Sequence, residues 1–199
     1  MFMKPDVEAW DPWRPEQVQE LLAGCDAAWS VAAGWALDLH HGRQTREHED
    51  IEIGIPRRDF ALLRRYLEKY DLYAAGSGAV DPLTPENLKE KRQIWVCDGD
   101  VWRMDCFLEL GDTTTWISNR DWRVTLPYAD LVKVTPDGIP YQAPETVLFM
   151  KAKHTRPKDE GDFERALPTL DSAAKSWLID ALELVHPGHP WILRCRAAS

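Results

Sequence analysis

No apolar run in this sequence approaches the roughly 20 residues needed to cross a bilayer, and the N-terminal stretch MFMKPDVEAWDPW has no apolar secretory core, so neither a membrane association nor an exported product is expected. Cysteine is scarce. Cys25, Cys97, Cys106 and Cys195 show neither close pairing nor zinc-ligand spacing, which excludes a disulfide framework and reads as reduced thiols in a cytoplasmic protein. Positive charge is in deficit: Lys and Arg number 24 against 33 Asp and Glu, a formal charge of −9. Such a balance repels polyanions, disfavours nucleic acid as a partner and welcomes a cationic small molecule. Internal repeats and low-complexity tracts are absent as well.

What is present describes a packed globule. Apolar residues make up 44% of the 199 positions and include 10 tryptophans, enough for one substantial core, with or without a smaller helical appendage. RPEQVQELLAG reads as a helix with Pro15 in its first turn and Gly24 near its stop. A short apolar step from Trp29 to Ala32 leads through Ala33-Gly34 into a second helix, WALDLHH, closed by Gly42. DIEIGI alternates and is β-branched on one parity, so it reads as a strand, broken by Pro56. RRDFALLRRYLEKY is helical in spacing, DLYAAG a short strand, and DPLTPENLKEK polar and turn-rich. RQIWVCDGDVWRMDCFLEL reads as two strands joined at Asp98-Gly99, and LVKVTPDGIPYQA as a second hairpin turning at Pro136-Asp137-Gly138. From Pro144 onward PETVLFMKAKH, KDEGDFERALPTL and DSAAKSWLIDALELV are helical. The expected organisation is an α+β portion over residues 1–140 and a helical portion over 141–199.

Strand parity gives the acids in DIEIGI a direction. Ile51, Ile53 and Ile55 share the core face, while Asp50, Glu52 and Gly54 share the other, with the acids about 7 Å apart. In VWRMDCFLEL the same alternation puts Trp102, Met104, Cys106 and Leu108 on one face and Arg103, Asp105 and Glu109 on the opposite one. If the two strands are neighbours, Asp105 completes a triad with Asp50 and Glu52. Clustered carboxylates repel unless a cation compensates them, and hard oxygen ligands with open positions suit Mg²⁺ that also holds substrate phosphates. An Asp-x-Glu pair on its own more often marks a solvated face, so the turn and the second strand carry the argument.

Gly34 precedes a helix whose first N–H groups and positive dipole end offer a phosphate site, although a glycine there serves a tight turn equally well. Arg46 could pair with a phosphate and Thr45 donate to one; the plain alternatives are ion pairs of Arg46 with Glu47 or Glu49 and ordinary exposure. His40 and His41 read as helix-end residues.

AAGWALDLHHGRQTREHEDIEI, followed by Asp105 in VWRMDCF, resembles the nucleotidyltransferase superfamily with the polymerase-β-type fold. The closer resemblance is to the branch of aminoglycoside 2″-adenylyltransferases and lincosamide nucleotidyltransferases, over residues 28 to 110, with LFMKAKHTRPKDEGDF extending it to about residue 170. It implies a mixed twisted sheet flanked by helices, and transfer of AMP from Mg-ATP to a hydroxyl of a small, cationic, aminoglycoside-like or lincosamide-like acceptor. In that reading Asp50 and Glu52 ligate the metal, and Asp105 joins them or takes the acceptor's proton. The backbone of Ala33, Gly34 and Trp35 would hold the triphosphate with Thr45 and Arg46, and Lys151, Lys153 and Arg156 would reach it from the helical portion. Lys158, Asp159 and Asp162 are expected instead in a helix-start ion-pair network.

One position departs from the family pattern, which has two glycines where this chain has Ala33-Gly34. If the first of them needs a positive φ, alanine is strained there. Two other readings stay open on the sequence alone: a toxin-type enzyme modifying tRNA or protein, and a nucleotide-binding protein without turnover. The basic clusters Arg57-Arg58, Arg64-Arg65 and Lys89 to Arg92 are short and flanked by acids, which ranks the first of these lower. GDTTTWISNRDWRVTLPY, with Trp116 and Trp122, could line an acceptor pocket, although such aromatics more often serve core packing.

Overall fold

The alternation of Ile51, Ile53 and Ile55 with Glu52 and Gly54 builds the middle of the sheet, because all three isoleucines are fully buried on one face. The computed structural model describes residues 5–198, so the first four residues of the N-terminal stretch lie outside the described residues. The chain begins with α1 (Pro15–Leu21), β1 (Ser30–Val31), α2 (Ala33–His41), β2 (Glu52–Pro56) and α3 (Phe60–Tyr66). It continues through β3 (Asp71–Gly76), β4 (Ala79–Pro82), α4 (Asn87–Glu90), β5 (Gln93–Asp98), β6 (Val101–Gly111), β7 (Thr115–Ile117) and β8 (Thr125–Pro127). It ends with α5 (Tyr128–Leu131), β9 (Val132–Val134), β10 (Pro140–Gln142), α6 (Pro144–Lys151), α7 (Pro157–Ala166), α8 (Ser172–Val185) and α9 (Pro190–Ala197).

The strands form one mixed sheet in the order β4-β3-β5-β6-β2-β1-β10-β9, with β7 and β8 branching from the end of β6. Only β2–β6 and β1–β10 pair in parallel; the other neighbours are antiparallel. The α+β architecture and both anticipated hairpins are present, β5–β6 around Gly99 and β9–β10 around Gly138. Gly42 ends α2 in the left-handed conformation, with φ of 67°.

Several elements escape a sequence reading. Asp50 lies ahead of β2 rather than in it, and Pro56 is the last strand residue rather than a breaker. The polar stretch after β3 hides a hairpin to β4, and GDTTTWISNRDWRVTLPY forms the β7–β8 hairpin, which buries Trp116 and leaves Trp122 exposed. A further helix, α9, packs Trp191 flat on Phe163, with ring centroids 4.3 Å apart. The sheet extends to Gln142, and α6 and α7 both pack against α2, so the C-terminal helices cover the turn that starts it. No described helix is long and apolar enough to cross a membrane.

Gly54 is the place where the middle strand must stay bare. A Cβ there would collide with the Gln142 amide and the Glu109 carboxylate, which lie across its Cα. Gly54→Ala is therefore expected to lower stability by roughly 1–3 kcal/mol through overpacking, measurable by chemical denaturation.

Candidate active site

Register decides which acids meet. Parallel pairing of β2 with β6 sets Glu52 directly beside Asp105, and the Asp105 N–H donates to the Ile51 carbonyl at 2.9 Å. The loop leading into β2 delivers Asp50 close enough for its charge to act on both. Burial, then the charge of Asp50, pushes the Glu52 carboxyl up to about 7. Asp105 is held well above the ordinary carboxylate value by burial and by Glu52, against the opposing pull of two hydrogen bonds. Those bonds come from Gln93 Nε2 at 2.8 Å and Trp95 Nε1 at 3.0 Å, both to Oδ2, while the buried Oδ1 has no hydrogen-bond partner. Trp95 is itself wedged between Trp10 and Trp102, with centroids 5.0 and 5.1 Å away. An aromatic cluster thus fixes the acid from behind.

A buried oxygen without a partner beside mutually repelling carboxylates is what a hard divalent cation relieves. The donor set therefore fits Mg²⁺, all oxygen and strongly anionic. Among the described residues no three His, Cys, Asp or Glu side chains converge closely enough to hold a metal ion by themselves.

Asp50 and Glu52 line a cavity of about 390 Å³; Asp105, beside Glu52 in the sheet, is buried and does not line it. Ala32, Ala33, Gly34 and Trp35 bound it on one side, and the Ala32 N–H donates to the Glu52 carbonyl at 2.8 Å, tying turn to strand. Ala33 opens α2 with φ of +50°, a conformation that glycine adopts without strain and alanine does not. Gly34 is needed for a different reason, since a Cβ on it would strike the Arg46 guanidinium and the His48 ring. His48 stacks on Trp35 at 4.3 Å and places Nε2 2.6 Å from Asp38. Thr45 gives its hydroxyl to the same buried Asp38 at 2.5 Å and faces away from the cavity, so in this structure it braces the loop and does not reach a phosphate site. His40 and His41 occupy the last turn of α2, where burial lowers the proton affinity of both rings.

The opposite side of the cavity is cationic. Arg46 forks onto Asp162 at 3.1 and 3.2 Å, so neither Glu47 nor Glu49 is its carboxylate partner. Lys151 bridges Asp159 at 2.9 Å and Asp162 at 3.0 Å, Arg156 grips Asp159 at 2.7 Å, and Arg165 takes Asp162 at 2.7 Å. Asp159 and Asp162 do form an ion-pair network at the start of α7, but Lys158 departs from it to reach Glu49 at 3.0 Å. Lys153 lines the cavity from an exposed position after α6. Arg46, Lys151 and Arg156 line the cavity with Asp50 and Glu52, and with Arg165 they outnumber their shared partners Asp159 and Asp162, so the network carries a net positive charge.

Sequence reasoning missed Asp38, Gln93, Trp95 and Gln142, which act through tertiary contacts and follow no spacing rule. Glu109 was placed on the face of Asp105 by parity, and it lines the cavity.

The family model for aminoglycoside-2''-adenylyltransferase matches residues 16–82. The fold is similar to that of ANT(2'')-Ia, solved in complex with adenylyl-2''-tobramycin, at 14% identity and a TM-score of 0.59, over 85% of this chain and 97% of that one. It is also similar to the lincosamide antibiotic adenylyltransferase LnuA, solved with lincomycin bound, at 17% identity and a TM-score of 0.52, over 75% of this chain and 91% of that one. No curated protein matched in the sequence search. The fold is thus similar to that of these two adenylyltransferases, and the family match over residues 16–82 falls in the branch that the sequence motifs resemble.

Two outcomes follow from the local energetics. Ala33→Gly is expected to raise stability by about 1 kcal/mol, since an alanine at positive φ costs roughly 1–3 kcal/mol and glycine's extra chain entropy returns only part of it; thermal melting checks this. Burial raises the Asp159 carboxyl, but the hydrogen bonds from Arg156 and Lys151 outweigh it and hold the group well below the ordinary value. A depressed folded-state pKa stabilises the fold above the unfolded value, near 4, and that contribution is lost as pH falls through the folded one. Asp159→Asn should therefore cost about 3 kcal/mol at pH 7 by leaving Lys151 and Arg156 undercompensated, with the difference from wild type shrinking in acid denaturation below about pH 4.

Proposed function

We propose that this protein transfers AMP from Mg-ATP to a hydroxyl group of a small, cationic antibiotic-like acceptor, of the aminoglycoside or lincosamide type. The observation carrying this reading is that Asp50 and Glu52 line one cavity together with Arg46, Lys151, Lys153 and Arg156 at the start of α2, with Asp105 in register beside Glu52. The match to the adenylyltransferase family over the segment holding Asp50 and Glu52 supports it.

Asp50 and Glu52 would hold Mg²⁺ from the cavity side. When bound, the ion supplies charge that neutralises the triphosphate and favours in-line displacement of pyrophosphate. Asp105, beside Glu52 and with Oδ1 unpartnered, would join them or take the acceptor's proton, the two roles that the resemblance implies for it. Lys151, held ready by Asp159 and Asp162, would face the phosphates together with Arg46, Lys153 and Arg156. The N–H groups of Gly34 and Trp35 at the start of α2 add a dipole of the same sign.

A polyanionic substrate finds less support. Arg57 donates to the carbonyls of Leu88 and Lys91, and Arg58 to that of Asp112, so this basic pair is engaged in holding loops together.

Incubation with Mg-ATP and a panel including tobramycin and lincomycin, read by pyrophosphate release and by the mass of the product, is expected to show turnover that EDTA abolishes. Asp50→Ala should lower it at least about 100-fold. Absence of pyrophosphate release in the wild type, or undiminished release in Asp50→Ala, overturns the proposal.

A further inference from the structure

Glu109 is a second acidic feature of the cavity, separate from the carboxylate group around Glu52. It lies on the same face of β6 as Asp105 but four residues further along, about 13 Å away by the rise of a strand. Its residue is 6% exposed, and what exposure remains opens into the cavity beside Phe107, Trp116, Val147 and Met150. Gln142 Nε2 donates to its Oε1 at 2.5 Å, and the Trp116 side chain is also hydrogen-bonded to it. The bare Gly54 makes room for this pair. Burial pushes the carboxyl up to about 7 despite both hydrogen bonds.

Neighbouring cations are turned elsewhere. Arg120, which lines the same cavity, donates to the Met150 carbonyl at 3.4 Å, and Arg58 stands over the Tyr128 ring at 5.7 Å. Tyr128 is the other titratable group near Glu109, and its phenol is pushed up by burial and by the charge of Glu109. Among the described residues no Lys, Arg or His forms an ion pair with Glu109.

A carboxylate withdrawn from water, held by two neutral donors and open to a cavity on an apolar side, is costly to keep for packing alone. It gains its missing counter-charge when a cation enters. The triphosphate is anionic and belongs with Lys151 and Lys153, and the metal ion belongs with Asp50 and Glu52, so a cation for Glu109 comes from the other substrate. We infer that Glu109, oriented by Gln142, is the residue that selects the acceptor, by pairing with a protonated amine at the end of the cavity away from Asp105. This rests on the transfer reaction proposed above and gives its acceptor a charged handle.

The test is a calorimetric titration of the wild type and of Glu109→Gln with tobramycin and with per-N-acetylated tobramycin, which keeps the hydroxyl groups and loses the charge. The glutamine is isosteric and preserves the shape of the site. The wild type should prefer the free amine at least tenfold, and Glu109→Gln should lose that preference while its affinity for Mg-ATP stays within about twofold. Glu109→Asp, which keeps the charge, should retain part of the preference and covers the case in which the glutamine variant does not fold. No binding of tobramycin to the wild type, no preference for its free amines, or an unchanged preference in folded Glu109→Gln overturns the inference. So does Glu109→Asp devoid of any preference when the wild type has one. Loss of the inference with Mg-ATP bound and turned over leaves the transfer reaction standing; failure to bind Mg-ATP removes the transfer reaction itself.

Discussion

The parallel pairing of β2 with β6 is the constraint on which the site depends. It sets Glu52 against Asp105 in one register, so a slip of β2 by one residue would send Glu52 to the core face and Ile53 and Ile55 to the cavity face. Sheet stability and site geometry are therefore the same property here. The fully buried Ile51, Ile53 and Ile55 hold the register, and the acids are carried to the opposite face by it.

That arrangement concentrates negative charge where water is scarce, and the rest of the molecule answers in two ways. Trp95 and Gln93 direct hydrogen bonds to one oxygen of Asp105 and leave the other open. Across the cavity, α6 and α7 bring Lys151 and Arg156, and the loop before β2 brings Arg46, all oriented by the buried Asp159 and Asp162. Anionic and cationic walls face each other over a gap, a geometry that fits a metal-bound triphosphate better than it fits an empty core. The C-terminal helices are thus part of the site as well as a cover for the sheet.

The alanine at position 33 shows how the same turn can tolerate a residue that backbone geometry disfavours. With φ of +50° it is strained, yet it is pinned by the Ala32–Glu52 hydrogen bond before it and by α2 after it. Strain of this kind persists where surrounding structure overdetermines the backbone, and such places cluster at functional sites.

Much of this was legible in the sequence, because it depends on local rules. Period-two alternation in DIEIGI and VWRMDCFLEL assigned Glu52, Asp105 and Glu109 to a face, Asp98-Gly99 and Pro136-Asp137-Gly138 marked hairpins, and Ala33-Gly34 ahead of a helical run marked the turn. Contacts between residues far apart in the chain were decided only by the tertiary structure. Thr45 turned to Asp38 because the loop carrying it folds back on α2, and Arg46 reached past Glu47 and Glu49 to Asp162, more than a hundred residues along the chain. The Trp95 bond to Asp105 and the Gln142 bond to Glu109 follow from strand order, which puts β5 beside β6 and brings β10 within reach of it. A sequence determines which face a side chain takes, since that is set by neighbours one and two residues away; which partner it meets there is set by the packing of the whole chain.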